Sequence, residues 1–304
     1  MLKRPDQSER PFMVYDCFSD VRFGGNIGGI VLNAGGLSDE AMQNIAREIN
    51  APVTGFVTAL QDRGVTTRFF MPGGEIAMCG HVTVGLFSYL TQDGGFAPGS
   101  FTMQAKAGPV QVEVTNNPNT PPDVLMQVGL PVLGVPALDA ADLADLASAL
   151  GLPDSEIGKI NPLESAEAGL THLFVQLDSL ARVQRLEPDF KKLGEISKAA
   201  GVDTIACFAL QTETPENTLH LRDFCPAVGA DEVPASGTTN GALAGYLVRH
   251  GLIPPGRQSV LTEQGAELGR PSLIRTEITS ADGNLSDVWV GGQAVASLRG
   301  YVAG

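Results

Sequence analysis

Two segments of the chain repeat one another, and each begins with a residue that can move a proton. CGHVTVGLFSYL (79–90) overlays SGTTNGALAGYL (236–247) without a gap. Gly80 falls on Gly237, Leu86 on Leu243, Tyr89 on Tyr246, Leu90 on Leu247 and Cys79 on Ser236, sulfur exchanged for oxygen. Each copy reads as a loop, then Cys or Ser, then Gly, then an apolar helix, which puts Cys79 and Ser236 near helix N-termini. The first-turn N–H groups there have no intrahelical partner and the helix dipole is positive, so an anion is stabilised. A thiol in that setting is expected to have a lowered pKa and to serve as a base. Removing a proton beside a carboxylate or carbonyl leaves an enolate-like anion, which aimed N–H donors stabilise. Returning the proton from the other side gives epimerisation, returning it at another carbon gives isomerisation, and losing a leaving group gives dehydration. A hydroxyl is a far weaker acid or base than a thiol, so the pair predicts an asymmetric site with Cys79 as the main proton carrier.

Each of these residues also has a plainer use. Cysteine before glycine is a common small core filler, and serine is a good N-cap with no further duty. His81 fits capping, packing or ligand contact. Asn26, in FGGN, is either a turn residue or a substrate contact. Cys17, Cys207 and Cys225 lie in strand patterns and read as core. A hydrolase built on Cys79 and His81 is disfavoured, because residues two apart on a helix do not face one another.

The elements that must hold these residues are also duplicated. Upstream of each copy stands an R-x-F-x-P string, Arg68 to Pro72 and Arg222 to Pro226, and further upstream a helix and a strand ending near Phe56 or Phe208. Arg68 and Arg222 are expected to tie strands together rather than to touch substrate. Strand patterns cover 11–18, 27–34, 53–60 and 65–72, and Ser38 caps a helix through Arg47 with Met42, Ile45 and Ala46 inward. A hairpin turning at Ala107-Gly108 follows the segment 81–92. NNPNTPP (116–122) is the strongest loop signal and the expected division between halves. The second half offers strands at DVLMQVGL, THLFVQLD, TIACFALQ and TLHLRDFC, and helices near 139–150 and 188–199. The tail reads as two hairpins, RQSVLTEQG/RPSLIRTE and LSDVWVGG/QAVASLRG. Strand-rich stretches interrupted by single helices predict an α+β fold.

Composition narrows the function classes. The chain has 304 residues, 43% apolar and 18% charged, with a net charge of −14. An acidic chain repels phosphate backbones, so nucleic acid is not expected as a partner. No stretch supplies the roughly 20 apolar residues of a membrane span, and the polar start MLKRPDQSERPF has no apolar signal core, so a cytoplasmic protein is expected. Four scattered cysteines and four scattered histidines give no disulfide framework and no metal motif. With no GxGxxG and no GxxxxGK[ST], no metal or nucleotide cofactor is expected.

Taken jointly, DCFSDVRFGGNIGGIVL, MQNIAREINAPVTGFV, TTRFFMPGGEIAMCGHVTVG, RDFCPAVGADEVPASGTTNGALAGYL and EQGAELGRPS resemble the phenazine-biosynthesis (PhzF-like) isomerase family, within the diaminopimelate epimerase and proline racemase superfamily. The resemblance implies two pseudo-symmetric domains, each a curled sheet around a central helix, an active site between them, no cofactor and a homodimer. The loop signal at 116–122 puts 1–118 in the first domain and 123–288 in the second. The family's final strand often returns to the first domain, which would add 289–304 to it. Carried over by position, Cys79 is the acid/base, Ser236 the opposing group, and Gly80, His81, Gly237 and Thr238 bind the anion. Two acids of the family pattern are missing. The acidic position of N-x-S-E-T-x-F reads Val53, and E-D-P reads Glu232-Val233-Pro234, so the phenazine-pathway isomerisation lacks them here. MCGH (78–81) instead resembles the racemase pattern.

The expected function is a cofactor-independent isomerase or epimerase that moves a proton next to the carboxylate or carbonyl of a small acid. The alternatives are a lyase or dehydratase on the same scaffold and a non-catalytic small-carboxylate-binding protein.

Overall fold

The computed structural model describes residues 9–303. The chain forms two compact units. One runs to Gln127 and takes the chain back from Gly291, and the other is Val128–Val290.

In the first unit the elements run β1 (Glu9–Cys17), β2 (Asn26–Val31), α1 (Asp39–Ile49), β3 (Val53–Gln61), β4 (Gly64–Met71), β5 (Gly74–Ile76), α2 (Gly80–Gln92), β6 (Gly99–Ala105), β7 (Gly108–Thr115) and β8 (Asp123–Gln127). β2 and β3 are parallel, as are β4 and β6; β1–β2, β3–β4, β4–β5, β6–β7 and β7–β8 are antiparallel. The loop at 116–122 leads straight into β8, which stays on the edge of β7, so the units divide after it. α2 is buried on nearly every side and touches β1, β2, β3, β7 and β8. A flat sheet cannot meet one helix from so many directions, so the strands curl around it. Close approach depends on missing side chains. A Cβ on Gly85 would stand 2.9 Å from Tyr15 Cβ, and one on Gly55 only 2.7 Å from Val82 Cγ1.

The second unit runs β9 (Val132–Gly134), α3 (Ala140–Leu150), β10 (Glu164–Glu167), β11 (Thr171–Gln176), α4 (Leu180–Gln184), α5 (Phe190–Ala200), β12 (Thr204–Ala209), β13 (Leu219–Phe224), β14 (Glu232–Val233), α6 (Gly237–Arg249), β15 (Gly256–Gln264), β16 (Ser272–Ala281) and β17 (Asn284–Gly292). Its pairing repeats that of the first. β11 and β12 are parallel, as are β13 and β15; β10–β11, β12–β13, β13–β14 and β15–β16 are antiparallel. α6 is the buried central helix, touching β9, β10, β11 and β16. The last strand, β18 (Ala294–Ala303), lies antiparallel on β1, from Glu9 opposite Ala303 to Cys17 opposite Ala294.

Outer helices cover the other face of each sheet. Met42, Ile45 and Ala46 of α1 pack on Val31, Phe56 and Phe70. Leu146 and Leu150 of α3 and Leu193 and Ile196 of α5 pack on Leu173, Val175, Ile205 and Phe224. The helices begin where their caps predict. Ser38 Oγ accepts from Ala41 N–H, Asp139 closes a capping box with Asp142, and Asp189 accepts from Lys192 N–H. The hairpin expected at Ala107-Gly108 turns one residue earlier. Ala105 pairs with Gly108, and Gly108, at φ 112°, already opens β7.

Both arginines of the repeated string hold strands. Arg68 Nε donates to Glu75 of β5 at 2.8 Å and its guanidinium lies over Phe70. Arg222 donates to both carboxylate oxygens of Glu232 of β14, at 2.9 and 2.8 Å, and lies over Phe224.

Candidate active site

Cys79 and Ser236 occupy the same local position in the two units. Each is the N-cap of the central helix in extended backbone, with φ and ψ of −143° and 116° for Cys79 and −138° and 115° for Ser236. Each cap carbonyl takes a bond from the side chain four residues on, Thr83 Oγ1 at 2.7 Å and Asn240 Nδ2 at 2.9 Å. Each cap side chain meets the side chain two residues on. Cys79 Sγ lies 3.3 Å from His81 Nδ1, and Ser236 Oγ lies 3.1 Å from Thr238 Oγ1. The expectation that Cys79 and His81 do not face one another is therefore corrected. Cys79 is extended rather than helical, so the helical spacing rule does not govern it.

In the first unit Cys79, Gly80 and His81 gather at the head of α2 against the start of β2. The His81 imidazole bonds to the Ile27 carbonyl, beside buried Asn26. One ring nitrogen donates there, which leaves the other to accept from the Cys79 thiol. Gly80 lies under Met126, whose Cε would be 2.6 Å from an added Cβ.

The expected low thiol pKa is not found. Burial pushes the Cys79 thiol up to about 12, and the backbone N–H groups of Val82 and His81 that bond its sulfur offset only part of that. Burial also lowers His81 to about 4, the Ile27 carbonyl opposing it. At neutral pH the pair is a thiol beside a neutral imidazole. The helix end acts on Cys79 as expected, but desolvation is the larger effect.

In the second unit Ser236, Gly237 and Thr238 form the head of α6, with Ser236 Oγ accepting from Thr239 N–H at 3.3 Å. Behind them lies a polar cluster that sequence reading missed. Thr239 Oγ1 is 2.7 Å from Ser236 Oγ, 2.5 Å from Asp223 Oδ2 and 3.2 Å from His172 Nδ1, and His172 Nδ1 is 2.8 Å from Thr204 Oγ1. His172, Thr204, Asp223 and Thr239 are all buried. Burial raises Asp223 to about 6 against the hydroxyls of Thr239 and Thr204, with Glu232 adding to the rise, and lowers His172 to about 3. Among the described residues no cluster of His, Cys, Asp and Glu is arranged to hold a metal ion, and no helix is long and apolar enough to cross a membrane.

The two units thus share one plan, a curled sheet around a buried helix, headed by Cys79 in one and by Ser236 in the other. Residues 15–300 match the phenazine biosynthesis-like protein family, and the chain belongs to that family. An uncharacterized isomerase of Deinococcus radiodurans is 33% identical over 94% of this chain and 92% of its own length. The trans-2,3-dihydro-3-hydroxyanthranilate isomerase of Pseudomonas chlororaphis is 30% identical over 96% of this chain and 98% of its own. Among solved structures, a PhzF-family phenazine biosynthesis protein of Bacillus anthracis superposes with a TM-score of 0.87 at 26% identity, covering 97% of this chain and 99% of that one. A hydroxyproline epimerase of Agrobacterium vitis shares the fold, with a TM-score of 0.64 at 12% identity over 98% of this chain and 93% of that one.

Proposed function

We propose that the protein is a cofactor-independent isomerase that moves a proton at a carbon next to the carboxylate or carbonyl of a small acid, with Cys79 as the main acid/base and Ser236 as the second proton carrier. The observation that carries the reading is the matched cap geometry: two reactive side chains, with φ and ψ alike within 5°, each at the head of a buried helix. First-turn N–H groups at Gly80, His81, Gly237 and Thr238 suit a carboxylate or an enolate oxygen. Asn26 adds a side-chain donor, while the His81 ring, its N–H given to the Ile27 carbonyl, serves the Cys79 thiol. Resting as a thiol, Cys79 is suited to deliver a proton to the enolate-like anion, and His81 is placed to take the thiol proton when the reaction runs in reverse.

The relatives' reactions guide the choice of substrates. The protein is incubated in D2O with both enantiomers of proline, 4-hydroxyproline, serine, aspartate, glutamate and lactate, and with trans-2,3-dihydro-3-hydroxyanthranilate. Mass spectrometry reads deuterium at carbon. Solvent deuterium is expected in at least one acid, and Cys79→Ala is expected to lower its incorporation by about a thousandfold while leaving circular dichroism unchanged. Incorporation in Cys79→Ala at the wild-type rate would remove Cys79 from the mechanism. The thiol–hydroxyl asymmetry favours a dehydratase as the second reading, because water loss needs only one strong base. Loss of 18 mass units from a hydroxy acid would select it (about one water).

A further inference from the structure

The duplicated fold lets each residue behind Ser236 be compared with its counterpart behind Cys79. Strand register makes the comparison. Gly28 pairs with Val53 and Gly55 with Phe69 in the first unit, as His172 pairs with Thr204 and Ala206 with Asp223 in the second. The gapless helix overlay puts Val82 on Thr239. The first copy therefore reads Gly28, Val53, Phe69 and Val82, all without a polar side-chain atom. The second reads His172, Thr204, Asp223 and Thr239, joined by hydrogen bonds. The polar set stands behind the hydroxyl, and the apolar set behind the thiol, which needs less help to move a proton. Packing alone does not require this difference, since the same fold builds the apolar version.

We propose that Ser236, Thr239 and Asp223 form a proton relay that lets the Ser236 hydroxyl act as a base, an inference that rests on the reading of Ser236 as a proton carrier. Thr239 has one hydroxyl proton and two neighbouring oxygens to serve, at 2.5 and 2.7 Å. A carboxylate only accepts, so with Asp223 ionised the Thr239 proton points to Asp223 and the Ser236 proton turns toward Thr239. With Asp223 protonated the chain reverses, and Thr239 donates to Ser236. As the substrate C–H bond breaks, its proton goes to Ser236 Oγ, the Ser236 proton to Thr239 Oγ1 and the Thr239 proton to Asp223 Oδ2. The C–H electron pair stays on the substrate, the carboxylate becomes a carboxylic acid, and both hydroxyls are restored. His172 sets the direction. With its proton on Nδ1, His172 donates to the Thr204 and Thr239 hydroxyls, which leaves the Thr239 proton free for Asp223.

The titratable groups around Asp223 are His172 on β11, Cys207 on β12, Cys225 after β13 and Glu232 on β14. Burial keeps His172 neutral and holds both thiols above their usual range, and Arg222 pairs Glu232. Asp223, near 6, is then the member of this group that changes charge between about pH 5 and 8.

The test uses the panel acid that exchanges fastest with the wild type. Asp223→Asn and Thr239→Val, the latter writing the first copy's residue into the second, are expected to lower kcat at least about 30-fold with KM within about twofold. Thr239→Ser, which keeps the hydroxyl, is expected to retain at least about a third of kcat. The acid limb of kcat/KM near pH 6 is expected to vanish in Asp223→Asn. A Thr239→Val protein as fast as Thr239→Ser overturns the relay and leaves proton transfer through Cys79 standing. If no panel acid exchanges with the wild type, the functional reading fails and the relay is judged without substrate. In 13C-aspartate-labelled protein the Asp223 carboxyl carbon should titrate near pH 6, and Ser236→Ala should move its midpoint by about half a unit or more. An unmoved midpoint overturns the relay.

Discussion

Cys79 and His81 meet at 3.3 Å as two neutral groups, whereas His220 is held with its charge. Its Nδ1 lies 3.1 Å from Glu263 and its Nε2 2.8 Å from Glu267, with no exposed side-chain surface. Both nitrogens can be bonded to carboxylates in this way only as an imidazolium. Burial opposes the charge, but the bonds to Glu267 and Glu263 outweigh it and raise the His220 pKa. Glu263 and Glu267 are lowered: burial works against them, and the bonds from Asn217 and the Glu213 and Thr214 N–H groups to Glu263, and from His220 to both, prevail. A raised histidine contributes stability that is full below its unfolded pKa of about 6.5 and is lost as pH rises through the folded value. The lowered glutamates contribute above about 4.3 and lose that contribution as pH falls. Urea unfolding should therefore show His220→Gln less stable than wild type by about 2–4 kcal/mol near pH 6, with the gap narrowing steadily toward pH 9. A gap constant from pH 6 to pH 9 would mean that the wild-type histidine is not charged.

At the scale of elements, the two R-x-F strings make one strap used at two depths. Arg222 and Glu232 are almost wholly buried, and Arg222 also donates to the Leu186 and Val183 carbonyls. Arg68 is about a third exposed, and its partner Glu75 keeps a second cation, Lys106. Arg222→Met leaves a buried carboxylate unpaired and should cost about 3–5 kcal/mol; Arg68→Met should cost about 1 kcal/mol or less after solvent screening. Arg222→Met with Glu232→Leu should recover most of the loss, and equal costs at the two sites would refute the difference in depth. The strap, the central helices and the caps were legible in sequence because each is local or repeated. Three features were not. The Cys79 pKa turns on how deep the helix end lies, which no local pattern records. The network behind Ser236 joins residues 16 to 67 positions apart, though polar residues at register positions that are apolar in the other copy are a signal the repeat contains. And β18 has the alternation of a hairpin strand following β17, while the structure lays it on β1, some 280 residues away; the family resemblance implied that return, but alternation alone gives a strand its faces and does not name its neighbour.

At the scale of the molecule, duplication has not made two equally independent halves. Val128–Val290 is one continuous stretch with its own central helix, outer helices and core. The first unit is completed only when the chain returns, because β18 supplies the partner for the whole length of β1 and contacts α2 as well. Without it, β1 becomes an open edge of nine residues whose last five are buried in the intact chain, an arrangement prone to mispairing. The fragment 128–290, expressed alone, should fold cooperatively, giving dispersed amide resonances and a single urea transition. The fragment 1–127 should not, and adding 291–304 in trans as a peptide, or joining it to Gln127 through a flexible linker, should restore its strand signal in circular dichroism. Unit 1 folding unaided from 1–127 would show that the returning strand is decoration on an already sufficient core. Failure of 128–290 to fold alone would show that each copy depends on the other for its stability, a different history of the repeat from the one its continuous core implies.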